Sequence, residues 1–224
     1  NKSFWDIAQN SLILAVISAV LGGAIALFLA YGKRQENSWL LNLGVRISAM
    51  GYAIPGTVIA VGILIPVTRL DKAIDSLLRD TFDVSVGLLL SGTIVALIFA
   101  YLVRFLAVSF NAVESSLEKI KPSLDEASRS LGHNVGSTLL QVHVPLMWGG
   151  IFTAVMLVFV DVMKELPATL LMRPFNFDTL AVQVYQYASD ERLIKAAAPA
   201  LTIILVGIIP VIFLSFRIAQ SRNL

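Results

Sequence analysis

Cysteine is absent from the 224 residues, which excludes a small secreted module held by disulfides. Charge is scarce: Asp, Glu, Lys and Arg together make up 14%, against roughly 25% in ordinary soluble domains. No basic run occurs either. The 17 Lys and Arg are scattered beside 15 Asp and Glu, so a pI near 9.0 does not mark a nucleic-acid surface. What fills the chain instead is hydrophobic, at 57% of residues and a mean hydropathy of +0.80. Such a balance excludes intrinsic disorder, which needs low hydrophobicity and high charge, and leaves little room for a soluble enzyme. The lipid bilayer is the expected solvent.

Crossing about 30 Å of hydrocarbon as a helix takes about 20 mostly apolar residues. Five stretches qualify: Ser11 to Gly32, Ile47 to Thr68, Ser85 to Val103, about Leu146 to Met172, and Pro199 to Phe216. Backbone N–H and C=O groups find no water in the bilayer, and none of these runs alternates as a barrel strand would, so each is expected to be helical. The sequence therefore predicts an all-α membrane protein with about five transmembrane helices, residues 1-224 forming one transmembrane domain. It opens at Asn1 without Met, which suggests a processed form or part of a longer chain, and its N-terminus does not read as a signal peptide. Lys and Arg near the span ends give the orientation. Those in the connections around Lys33, Arg46, Arg104 and Lys119, with Arg217 and Arg222, number nine, against eight on the other side, Lys2 included. Acidic residues divide five to ten. This places the Lys33 and Lys119 loops in the cytoplasm, the N-terminus outside and the C-terminus inside.

Two loops differ in kind. Leu70, Ala73, Ile74, Leu77 and Leu78 recur at helical spacing among Asp71, Lys72, Asp75, Arg79 and Asp80, which predicts a short amphipathic helix on the outer interface. Residues 111-145 are long, polar and helical where a few residues would suffice. Pro122 suits a first helical turn, Asp125 and Glu126 favour the early dipole, and Leu124, Ala127 and Leu131 share a face. Asp125 and Arg129 stand four apart as an expected ion pair, and Gly132 is placed to end the helix in a left-handed conformation. A second short helix is expected from about Gly136 to Val142, before Pro145 opens the fourth span. Helix, glycine break and helix make a compact knob for a partner.

Glu126-Ala127-Ser128, three residues, Gly132, nine residues, then Val142-His143-Val144-Pro145 resembles the EAA motif of permease subunits in binding-protein-dependent ABC importers. Ser128 stands for the second Ala, Val142 for Ile and Val144 for Leu. Further stretches are similar to the ferric-iron-type branch: Gly51-Tyr52-Ala53-Ile54-Pro55-Gly56-Thr57, Lys164-Glu165-Leu166-Pro167-Ala168-Thr169, Arg173 through Leu180, and Tyr187 through Arg192. Members of that branch often carry two such halves in one chain, and this sequence is expected to be a C-terminal half. The resemblance implies the type I importer fold in a bacterial inner membrane. It also implies a periplasmic substrate-binding protein, a second permease half or copy, and a cytoplasmic ABC ATPase dimer that carries ATP and Mg. This chain binds no cofactor or metal on that reading and, lacking a G-x-x-x-x-G-K-[ST] sequence, hydrolyses no nucleotide. The 111-145 loop becomes the coupling element, with Gly132 supplying a tight turn and Glu126 a polar contact as the motif implies; Leu131, which the motif does not specify, is expected as an apolar plug. Ferric iron is the preferred cargo; thiamine, polyamines, sulfate and molybdate are the alternatives.

Asp161, Lys164 and Glu165 fall in or at the outer end of the fourth span on one helical face. Ionisable groups at such depth face a pathway or one another. Two readings stand side by side: a translocation path or outer gate, and mutual neutralisation with Lys164 on Asp161 and Glu165 on a neighbouring helix. Pro55 with Gly56 predicts a kink or close approach in the second span, for packing rather than gating. Tyr185, Tyr187, Asp190 and Glu191 offer hard oxygen atoms that suit ferric iron, yet are better read as a docking surface for the binding protein. His133 and His143 are expected at the surface or an interface, without a metal role. A secondary transporter working without ATP would fit broken helices but not the knob. A hydrolase pairing Asp161 with His143 fails, because the fourth span holds them about 27 Å apart.

Overall fold

The computed structural model describes residues 3–36 and 38–221; Lys2 and Arg222, used above for orientation, lie outside the described residues. The described chain is helical and contains no strand. Its frame is three helices: α1 (Phe4–Gln35), α4 (Ile94–Leu117) and α8 (Trp148–Met163). Helix α1 opens on a capping box, in which the Ser3 hydroxyl accepts from the Asp6 N–H and the Asp6 carboxylate accepts from the Ser3 N–H, satisfying two otherwise orphaned donors. Its buried face is rich in small residues, among them Ser11, Ala15, Ser18, Ala19, Gly22 and Ala26, with Ile7, Leu14 and Tyr31 between and beyond them. Small side chains let apolar helices approach until their backbones nearly touch, which is how spans associate without a hydrophobic gradient between them. The same device joins α4 to α8, where a Cβ on Gly150 would lie 2.4 Å from the Ser116 Cβ.

Between α1 and α4 run α2 (Trp39–Met50) and α3 (Gly56–Phe82). The expected continuous span Ile47 to Thr68 is thus broken at residues 51–55. Gly51 approaches α4 so closely that its Cβ would sit 2.0 Å from the Val103 carbonyl oxygen, and Pro55 caps α3 because its missing N–H costs nothing there. The amphipathic segment Leu70 to Asp80 is not a separate interfacial helix but the second half of α3. Nothing after Thr68 breaks the helix, and Pro66 is carried inside it.

The expected third span, Ser85 to Val103, also shifts. Residues 83–93 are non-helical and are held by acids of α3. The buried Asp71 accepts from the Leu90 and Ser91 N–H groups at 2.9 and 2.7 Å, and Asp75 accepts from Val86 and Gly87 at 2.8 and 2.9 Å. Gly87 and Gly92 have φ of +65° and +72°, values that favour glycine. Helix α4 therefore starts at Ile94, capped by Thr93, and Arg104 lies well inside it rather than in a cytoplasmic loop, so it does not belong among the nine orienting cations.

The fourth span arrives in pieces. The chain turns by 78° between Val135–Leu146 and Trp148–Met163, α8 ends at Met163, and α9 (Pro167–Met172) follows the Pro167 break. Helices α10 (Leu180–Ser189) and α11 (Leu193–Ser221) complete the order. Among the described residues three helices are long and apolar enough to cross a bilayer, α1, α4 and α11 over Leu193–Ile212, with a fourth if the bent pair counts as one span.

The α4–α8 contact yields a stability prediction. Gly150→Ala should cost about 1–3 kcal/mol, the usual range for forcing extra volume into a packed contact, read as a lower melting temperature in detergent. Adding Ser116→Gly should return most of the loss; a double variant as unstable as the single would show that the contact is not what limits the packing.

Candidate functional site

The knob is built from α5 (Pro122–Ser130), α6 (Val135–Thr138), a π-helical turn (Leu139–His143) and the short α7 (Val144–Leu146). Pro122 occupies the first turn of α5, and Gly132 follows with φ of +83°, donating its N–H to Arg129 while His133 donates to the Ser128 carbonyl. Such a left-handed residue reverses the chain at low cost only as glycine. Instead of a regular second helix from Gly136 to Val142, the chain widens into the π turn after α6. Pro145 lies inside α7, so the knob meets α8 through the corner at Met147 and not directly.

Helix α5 buries two polar side chains and exposes its apolar ones, beside the exposed Ser123, Arg129 and Ser130. Asp125 and Ser128 are its buried residues, while Leu124, Ala127 and Leu131 face outward, Leu131 at 79% exposure. Glu126 is exposed as well. The Ser128 and Thr138 hydroxyls share a hydrogen bond of 2.8 Å that ties α5 to α6, so serine at this motif position does more than replace alanine. Val144 is half-buried and Pro145 exposed.

Asp125 does not pair with Arg129, as spacing suggested; Arg129 donates to Gln35 at 2.8 Å. A guanidinium fork already meets the carboxylate from the inner side. Arg34 of α1 donates through Nε and Nη2 to Asp125 Oδ2 at 3.0 and 2.6 Å, and through Nη1 and Nη2 to the Leu117 and Ile120 carbonyls at 2.7 and 2.9 Å. Leu117 ends α4, whose last carbonyls have no helical partner, so one planar side chain serves three elements at once. His143 is not at the surface: it is fully buried and bonds Asp125 Oδ1 through Nε2 at 2.5 Å. Tyr31 lies beside it, ring centroids 5.2 Å apart, and donates to the Val135 carbonyl at 3.0 Å. Burial pushes the Asp125 carboxyl up, but hydrogen bonds from Arg34 and His143 outweigh it and hold the group below its ordinary value.

The membrane charges divide differently from the face that spacing predicts. Because α8 ends at Met163, the helical interval still pairs Lys164 with Asp161 but no longer governs Glu165, which meets a neighbouring helix instead. The exposed Lys164 pairs with the half-buried Asp161 at 2.9 Å, whereas Glu165 is 6% exposed and turns inward. Its carboxylate lies 3.3 Å from Arg104 Nε and accepts from the Ala168 N–H at 3.1 Å. Gly56 leaves room for the pair, since a Cβ there would lie 2.2 Å from Arg104 Nη1 and 2.7 Å from Glu165 Oε1; Pro55 beside it is exposed. Tyr185, Asp190 and Glu191 are exposed and Tyr187 half-buried, along α10 and the turn after it. No group of three or more His, Asp or Glu that could hold a metal occurs among the described residues.

A bent knob anchored to packed apolar helices is the architecture of a helical membrane protein. The chain belongs to the family of binding-protein-dependent transport system inner membrane components, whose family model matches residues 10–222. Among its relatives, the Fe(3+)-transport system permease protein FbpB 2 of Haemophilus influenzae is 28% identical over 95% of this chain and 39% of that protein. PhnV of Salmonella typhimurium, a permease protein provisionally assigned to 2-aminoethylphosphonate transport, is 24% identical over 91% of this chain and 70% of its own length. The chain thus spans well under half of FbpB 2. A solved bacterial alginate ABC transporter, in complex with an alginate-bound periplasmic protein, contains a chain of the same fold. Its TM-score is 0.74 at 16% identity, covering 96% of this chain and 77% of that one.

Two predictions follow from these contacts. Glu165→Ala leaves the half-buried Arg104 without its carboxylate and should cost about 1–3 kcal/mol, while replacing both by leucine should restore most of the stability; a double variant no better than the single would contradict the pairing. For Asp125, the folded pKa lies below the unfolded value of about 3.9, so its stabilisation is complete above that value and lost as pH falls through the folded one. Amide exchange over 122–143, corrected for intrinsic rates, should stay protected from pH 7 to 5 and open below about pH 4. In Asp125→Asn that acid transition should disappear; its persistence would assign the transition to another group.

Proposed function

We propose that this chain is the membrane permease unit of an ATP-driven importer, with ferric iron as its cargo. The anchoring of α5 carries the reading: Asp125 and Ser128 are spent inward on Arg34, His143 and Thr138, and the exposed Leu124, Ala127 and Leu131 are left for a partner. The partner is a cytoplasmic ABC ATPase dimer, which supplies ATP and Mg. Glu126 and Leu131 meet it, and Gly132 sets the turn between the two halves of the knob. The α5 side is cytoplasmic, the N-terminus outside and the C-terminus inside. At the other end, about 35 Å along α1 by helical rise from Ser11 to Arg34, the α10 surface with Tyr185, Tyr187, Asp190 and Glu191 receives a periplasmic substrate-binding protein. Asp161, Lys164 and Glu165 with Pro55 border the cargo path, which a second permease half or copy completes within the lipid.

Iron is favoured over the other cargoes by the likeness to FbpB 2 and by the ferric-type stretches around Gly51 and Lys164; the likeness to PhnV keeps a phosphonate as the second reading. A secondary carrier would leave an anchored, outward-facing apolar knob with no use. Because the chain has no Cys, Ser130→Cys gives a single reactive site on α5. Crosslinking from it in intact cells should capture an ABC ATPase, and Leu131→Asp should weaken that capture by at least about tenfold, as for a central apolar anchor. No capture from Ser130→Cys would end the coupling assignment. Stimulation of the reconstituted ATPase by a phosphonate- or thiamine-loaded binding protein, with none from an iron-loaded one, would replace the cargo.

A further inference from the structure

A knob that receives force needs a rigid attachment, and the chain itself does not supply one to α8. The path from α5 to α8 runs through a π turn, a three-residue helix and a 78° corner, each of which bends more easily than a straight helix. The stiff connection is lateral. Arg34 is the C-terminal anchor of α1, its guanidinium makes four hydrogen bonds of 3.0 Å or less, and its acceptors are Asp125 on α5 and the carbonyls that end α4. Four donors from one planar group fix both position and angle, which a single ion pair does not.

We propose that Arg34 is the positioning residue through which displacement of α5 reaches the membrane helices, so that α5, α1 and α4 move as one body. The inference rests on the coupling role proposed for α5 and names the route that coupling takes. Helix α8 follows secondarily, through its Gly150 contact with Ser116 of α4, and not through Pro145. His143 serves the same joint from the other side by holding Asp125 Oδ1, leaving Oδ2 for Arg34. Sequence spacing hides this joint, because Arg34 and Asp125 are 91 residues apart.

The test uses the full complex in proteoliposomes. In Arg34→Gln, ATPase capture and hydrolysis should stay within about twofold of the unaltered protein while uptake per ATP falls about tenfold, the scale at which a residue on a coupling route acts. Arg34→Lys keeps the charge but cannot span three acceptors, and should fall between the two. Spin labels on Ser115→Cys of α4 and Ser130→Cys of α5, both exposed, should hold one separation through the ATP cycle with Arg34 present and spread over several with Gln there. That readout separates loss of the joint from general misfolding, which would also abolish ATPase capture. Unchanged uptake per ATP in Arg34→Gln, or a label separation that already varies with Arg34 in place, overturns this inference alone. Failure of the unaltered chain to capture any ATPase overturns the coupling reading and this route with it.

Discussion

A carboxylate withdrawn from water must be met by donors wherever the fold leaves it, and in a chain with so little charge each such acid decides a junction. Asp71, Asp125 and Glu165 are the buried acids among the described residues, and each ties segments distant in sequence. Asp71 takes two backbone N–H groups of the 83–93 segment and so sets where α4 begins. Glu165 joins α4, through Arg104, to the start of α9 and leaves space only for Gly56 at the start of α3. Asp125 binds α1 and the π turn to α5. Apolar packing brings the helices together, but it is not directional; these contacts supply the directions.

The arrangement separates two ends of the bundle. At the α5 end two polar side chains of a short helix are met from α1 and the rest of the knob, while Leu124, Ala127 and Leu131 stay outward. At the Glu165 end the charges are split, one pair open and one closed. On the function proposed for the chain, that division, more than the number of spans, suits the molecule to passing a movement from a partner to a path. Small residues on α1 and at Gly150 bring α1, α4 and α8 so close that none can shift far alone, since packed interiors transmit strain rather than absorb it.

Much of this was legible in order of residues. The long apolar run of α1 declares itself, as does the Pro122 to Gly132 helix with its left-handed end, because proline, glycine and charge near a terminus act locally. The motif around Glu126 likewise depends on spacing along one short stretch. The expected second and third spans erred for the opposite reason. Hydropathy reports how apolar a stretch is, not where a neighbour's backbone forces a break, and residues 51–55 and 83–93 are shaped by Val103 and by Asp71.

By itself, then, the sequence determined the solvent, the helical class, the presence of a knob and the residues on its outer face, since these follow from composition and from intervals of three and four. Packing, and not order, set the partners of Asp125, the burial of His143, the place of Arg104 inside α4 and the choice of Arg104 as the partner of Glu165. A side chain's charge is written in the chain, but its partner is whichever group the packing brings within 3 Å or so of it, and local spacing cannot rank a neighbour four residues away against one from another helix.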